Sequence, residues 1–276
     1  MDRFTALLRR LAASRLAPWM VAGLGFLTYA GTLQHGFVYD DARQIVDNPW
    51  VHDPAGWRML VTRPVWAFTD EQATNFYRPV QTLVHWTASQ LFGRAPFGFH
   101  LLSVLIHAGA GAAFCLFLRR LVGSGTAALA AALFAVHPIH AEVAAWASAG
   151  PDAEVALGLF LALAFATEAL VAPRLVPAAP LAVAALLPAL FAKETAVVAP
   201  VLAAVLPPVD GPAVRPGRRA AVVAIGFLVP VIVYLAARTA VLGALRPEGT
   251  RAGMDTLAAA GTALSLVPRY VALAFV

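Results

Sequence analysis

"FGFHLLSVLIHAGAGAAFCLFLRR", Phe97 to Arg120, decides the architecture. Nothing between Phe97 and Leu118 carries a formal charge at neutral pH, and two arginines follow at once. A helix over this run rises roughly 33 Å, enough to cross the hydrocarbon core of a bilayer. The arginine pair then marks an end that resists translocation. Similar apolar runs lie on both sides. The first spans roughly Ala17 to Gln34, a third Ser124 to Val136, a fourth Ala153 to Val171 and a seventh Ala220 to Ala237. A final run begins near Leu257 and reaches Val276.

Composition agrees. Of 276 residues, 60% are hydrophobic and 13% charged, with mean hydropathy +0.74. A soluble domain carries about 25% charged residues, so too little polar surface exists to solvate a globule. The net charge of +5 is no nucleic-acid signal, because the basic residues sit in short clusters between apolar runs. The single cysteine, Cys115, excludes an intrachain disulfide. Alanine-, arginine- and proline-rich usage suggests a bacterial source. The basic start followed by a long apolar run reads as a retained signal anchor rather than a cleaved peptide, since no A-x-A site precedes a soluble domain.

The segment Pro177 to Pro207, "PAAPLAVAALLPALFAKETAVVAPVLAAVLP", is the difficult one. As one helix it buries Lys193 and Glu194 near the bilayer centre, at about 2.5–3.5 kcal/mol each. Pro188 and Pro200 also oppose a straight helix. Two short spans, five and six, with Lys193-Glu194-Thr195 at an outer turn, remove both problems. The fold class that follows is all-α: a polytopic helical membrane protein of about eight membrane segments. Arg3, Arg9, Arg10 and Arg15 hold the N-terminus in the cytoplasm, with Arg119, Arg120, Arg174, Arg215, Arg218 and Arg219 on the same side. Arg246 and Arg251, on the outer side, are a mild violation. The chain stops inside "RYVALAFV", so residues 1–276 read as one transmembrane domain truncated at its C-terminus.

The first outer loop, about residues 35–96, is too long for a bare connection. Its acids Asp40, Asp41, Asp47, Asp53, Asp70 and Glu71 alternate with arginines and tryptophans, which suits short interfacial helices. "DPAGWRMLV" starts a helix with Asp53 as cap and Pro54 at the first position, and another starts at Pro79.

Asp40 and Asp41 are neighbours whose side chains diverge. One can serve a cavity while the other holds backbone or a cation, and two close carboxylates suit a general base. Asp41, further into the loop, is favoured as the base. A solvated turn is the alternative. "HPIHAE" sets His137, His140 and Glu142 at a membrane edge, where they could contact substrate, ligate a metal or merely cap a helix. Lys193 can meet a lipid phosphate or pair with Glu194. The metal question stays open, a divalent cation being one possibility. No nucleotide-binding or nucleophile-elbow motif occurs.

In order along the chain stand "FVYDD", "YRPVQTLVHW", "PFGFHLLSVLIHA", "ALFAVHPIHAEVAAW" and "FAKETAVVAP". Together they resemble the GT-C membrane glycosyltransferases, and within them the transmembrane and tetratricopeptide-repeat O-mannosyltransferases with their bacterial relatives. The resemblance covers about Gly36 to Pro207. It implies transfer of a sugar, mannose among the candidates, from a polyprenyl-phosphate donor to a protein or glycan acceptor at the outer face of the inner (plasma) membrane. It implies that Asp40 and Asp41 match the family's acidic pair, with Arg78, Lys193, Glu194, His137, His140 and Glu142 about the donor phosphate. It departs at "AGPDAE", where Pro151 stands in place of an arginine, and the repeats are absent. Two rivals are a scaffold presenting repeat domains and a transporter using Lys193, Glu194 and Glu168.

Overall fold

The computed structural model describes residues 11–69, 75–171, 178–206, 216–244 and 256–273. Arg3, Arg9, Arg10, Asp70, Glu71, Arg174, Arg215, Arg246 and Arg251 lie outside the described residues. All regular structure among the described residues is helical. In chain order the helices are α1 (Ala17–Tyr29), α2 (Pro49–His52), α3 (Trp57–Thr62), α4 (Pro79–Phe92), α5 (Pro96–Leu118) and α6 (Ser124–Val136). They continue with α7 (Ala141–Ala145), α8 (Pro151–Val171), α9 (Ala178–Ala192), α10 (Ala199–Ala204), α11 (Pro216–Leu242) and α12 (Thr256–Leu273).

Local chemistry sets the boundaries. Proline opens α2, α4, α5 and α8, where its missing N–H costs nothing and its fixed φ suits the first turn. Gly93 ends α4 at φ +66°, and Gly123 separates α5 from α6 at φ +80°, a region open to glycine without strain. The helix expected at Asp53 starts later, at Trp57. Asp53 Oδ1 instead accepts from the Ala55 amide at 2.9 Å and holds a turn. Asn48, not singled out in the sequence, caps α2 through the Trp50 amide at 3.0 Å.

Three stretches are long and apolar enough to cross a membrane: Pro96–Leu118, Ala147–Ala169 and Val223–Leu242. A fourth is the pair Ser124–Val136 and Pro138–Ala145, bent by 48° at His137. The eight anticipated segments therefore do not emerge as eight long helices among the described residues. Proline breaks the third, and the fifth and sixth are shorter apolar helices, Ala178–Ala192 and Glu194–Ala204. The break foreseen at "KET" is present: α9 stops at Ala192, and Lys193 is extended at φ −158° and ψ 140°.

Helix α8 packs between α5 and α9, while α1 packs on α5 and α6. The larger core joins Tyr77, Phe117, Leu163, Leu186, Leu190, Phe227 and Tyr234. Large apolar side chains such as Leu105, Leu129, Leu133, Ile225 and Ile232 stay exposed, as expected of faces solvated by lipid. Small residues line the interfaces, since helices in lipid associate by close van der Waals packing. At Gly158 an added Cβ would lie 2.8 Å from Ala189 Cβ and 2.9 Å from the Ala185 carbonyl oxygen. Gly158→Ala should cost about 1–3 kcal/mol by forcing α8 from α9. Gly23→Ala, with nothing within 4 Å of its Cβ, should be neutral or slightly stabilising. Thermal unfolding in one detergent checks both.

Candidate functional site

After α1 the chain makes a 3₁₀ turn, Ala30–Gln34, and then a π-helical turn, Ala42–Val46, with the aspartates at its entrance. Asp41 is fully buried. Its Oδ2 accepts from the Val38 amide at 3.1 Å and its Oδ1 from the Ser148 amide at 2.8 Å. Asp40 points the other way and is exposed, with Oδ2 3.4 Å from Gln44 Nε2. Successive side chains on a helical turn diverge, so one carboxylate is held by backbone and the other is left at the surface.

Helix α4 completes the arrangement. Gln81 Nε2 donates to Gln44 Oε1 at 3.0 Å and to the Ser148 carbonyl at 3.1 Å. Ser148 thus gives its N–H to Asp41 and its carbonyl to Gln81, and through Gln44 the same amide side chain reaches Asp40. One turn on, His85 Nε2 meets the Ala147 carbonyl at 3.3 Å. Burial holds the His85 imidazole below the ordinary histidine range, against the pull of the Ala147 carbonyl and Asp41. The Tyr39 and Trp146 rings lie 5.8 Å apart, so the segment after α1 is seated on the turn before α8.

A second cluster surrounds the helix break at Lys193. Arg78, the residue before α4, donates from Nε and Nη2 to the two Glu194 oxygens at 3.2 and 2.9 Å. Its guanidinium also lies 4.4 Å from the Phe76 ring centroid. Burial works against charge on Glu194, but Arg78 outweighs it and holds the carboxyl below its usual range. Lys193 Nζ pairs with Asp152 Oδ1 at 2.6 Å rather than with Glu194. Arg238 of α11 donates to the Asn75 carbonyl at 3.1 Å, and Tyr234 lies within electrostatic reach of Glu194, Arg238 and Arg78. Glu154 is buried beside Arg78 and Asp152. Two ion pairs stand here, with Arg238 close to them. Since Arg78 and Gln81 lie one turn apart on α4, this helix ties the cationic cluster to the aspartates.

The histidine segment is built differently. His137 Nδ1 accepts from the Ile139 amide at 3.2 Å, and its carbonyl accepts from the Tyr29 hydroxyl at 2.6 Å. The His140 ring packs 4.4 Å from Phe134 and 5.1 Å from His107, and Glu142 is exposed. Capping thus positions His137, and ring packing positions His140. The segment reaches the aspartates through Ser148, six residues beyond Glu142. Among the described residues no three His, Cys, Asp or Glu side chains converge on a possible metal position. Gln44, Gln81, Ser148, Asp152, Glu154 and Arg238 were not anticipated. The spacing of Arg78, Gln81 and His85 along one helix face was the available signal for Gln81.

These features define a polytopic helical membrane protein with an acidic pair at the end of its first helix and a cationic cluster beside it. Similar proteins carry a more specific name. The chain is 40% identical over 127 residues to the protein O-mannosyl-transferase Tmtc2 of Drosophila melanogaster, covering 44% of this chain and 13% of that protein. It is 31% identical over 151 residues to human protein O-mannosyl-transferase TMTC2, covering 54% of this chain and 18% of that one. It is 30% identical over 125 residues to human TMTC3, covering 45% and 14%. The resemblance read from the motifs is thus matched by named relatives, all of them eukaryotic, and the alignments span less than a fifth of each. No family profile and no solved structure matches the chain.

Two measurements test the geometry. Asp41→Asn places an amide donor against one of two backbone N–H groups and should lower stability by about 1–3 kcal/mol, while Asp40→Asn should leave the unfolding temperature unchanged. A lowered His85 pKa means that the unfolded chain binds the proton first as pH falls. The stability from neutral His85 is complete above the unfolded value, near 6.5, and is lost as pH falls toward the folded value. Unfolding followed from pH 7.5 to 5 should show this decline, and His85→Gln should flatten it.

Proposed function

We propose that the chain is the donor-side portion of a GT-C type membrane glycosyltransferase that moves a sugar, mannose by analogy with its relatives, from a polyprenyl-phosphate donor to a protein acceptor. The reaction runs at the outer face, with the N-terminus in the cytoplasm and the protein in the plasma membrane. The observation that carries this reading is the division of labour in the acidic pair: Asp41 spends both oxygens on backbone amides, whereas Asp40 is exposed and held only by Gln44. Asp40, not Asp41, is then the base.

An acceptor hydroxyl oxygen attacks the anomeric carbon while Asp40 takes its proton. The bond from that carbon to the phosphate oxygen breaks, and the phosphate leaves with the electron pair, inverting the centre. The lipid phosphate lies at the membrane surface, so the base must stand where the first helix emerges. The growing negative charge needs preorganised cations. Arg78 and Lys193 supply them together with Arg238, while Glu194 and Asp152 hold the first two in place before the donor arrives.

Transfer to an acceptor peptide from a polyprenyl-phosphate mannose donor, measured in membranes containing the protein, separates the roles. Asp40→Asn should lower kcat by about two to four orders of magnitude with donor binding retained. Asp41→Asn should reduce the amount of folded protein instead. Near-wild-type transfer by Asp40→Asn at normal protein levels refutes the base assignment. Absence of transfer by the wild type with donors of every sugar favours the scaffold reading.

A further inference from the structure

The arginine pair that closes α5 has a role beyond topology. Arg119 and Arg120 open onto a cleft of about 440 Å³, which is also lined by Leu116, Ser124, Ala164, Phe165 and Glu168. Its position follows from the helix directions. Helix α5 starts near His100, which feels the charge of Asp41, and α8 starts just beyond Ser148. Both reach the cleft at their far ends, so it lies at the opposite face of the membrane from the aspartates. It shares no residue with the proposed transferase site and does not depend on that reading.

The charges in the cleft do not balance. Arg120 pairs with Glu168 at 2.5 Å, both side chains about half exposed. Arg119 donates to the carbonyls of Ala13 and Ser14 at 3.1 and 2.9 Å, which are neutral acceptors, and no carboxylate among the described residues pairs with it. Two guanidinium groups thus face one carboxylate. Leu116, Ala164 and Phe165 form apolar walls on the membrane side of this charge. A cationic floor at the membrane surface above apolar helix faces matches a lipid, with phosphate at the headgroup level and acyl chain alongside. The first turn of α6, preceded by Gly123 without a side-chain cap, adds to the attraction for an anion but does not make the site.

We propose that this cleft binds the phosphodiester headgroup of an anionic phospholipid, its phosphate on Arg119 and Arg120 and its first methylenes against Leu116, Ala164 and Phe165. A free phosphate would use the arginines alone and leave the apolar walls uncovered.

The test uses the full chain purified in neutral detergent, with thermal unfolding followed as phosphatidylglycerol, phosphatidylcholine or inorganic phosphate is added. Phosphatidylglycerol should stabilise at a concentration about tenfold lower than phosphatidylcholine, whose phosphate is the same but whose quaternary ammonium is repelled by the two guanidinium groups. Arg120→Gln should remove most of that preference. Ser124→Asp should remove it as well while leaving the lipid-free unfolding temperature equal or higher, because a carboxylate at the start of α6 suits that helix but repels the headgroup. Ser124→Asp therefore keeps the test valid should Arg120→Gln fold poorly. Equal effects of the two lipids, an unchanged preference in Ser124→Asp, or the same stabilisation by inorganic phosphate overturns the proposal.

Discussion

The carboxylate of Asp41, held between the amides of Val38 and Ser148, is the constraint on which the arrangement turns. A buried carboxylate without donors is prohibitively costly, so it must recruit N–H groups from whatever backbone is near. The two it recruits lie in separate parts of the chain, one just after the first helix and one just before α8. Satisfying a single side chain therefore fixes the exit of the first helix against the entrance of another. The same requirement turns Asp40 outward.

Helix α4 acts as the post for everything else at this end. Arg78 at its start and Gln81, His85 and Ser89 on its buried face meet Glu194, Gln44, the Ala147 carbonyl and His52 in turn. Its other residues Trp86 and Gln90 donate to the carbonyls of Asp53 and Val51. A loop of this length would otherwise be entropically expensive to order. Hydrogen bonds from one helix to several short elements spread that cost, and they let a rigid element carry the register of residues that local sequence does not fix.

Much of this was legible in the sequence, for physical reasons that differ by residue. The break at Lys193 was, because charge in hydrocarbon has a known cost and Pro188 and Pro200 stand on either side. The start of α4 at Pro79 was legible too, as was the divergence of the adjacent Asp40 and Asp41 side chains. The division of labour within the pair was not: which carboxylate turns inward depends on where Ser148 arrives, a contact across 107 positions. Asp152 was read only as part of the departure at "AGPDAE", yet it holds Lys193. For His137, His140 and Glu142 the sequence left substrate contact, ligation and capping open, and His137 does cap the turn that opens at Pro138. Arg238 was not anticipated because nothing local reveals that it reaches back to Asn75.

That reach sets an order of events in the making of the protein. Asn75 and Arg238 are 163 positions apart, and Arg78 waits 116 positions for Glu194. At about 5–20 residues per second a ribosome needs roughly ten to thirty seconds to cover the longer gap. Throughout that interval the loop with its arginine and its aspartates has been made, but the cationic cluster has no closing wall. The protein therefore completes this end only when α11 has been made, so the contacts of the loop with it close last.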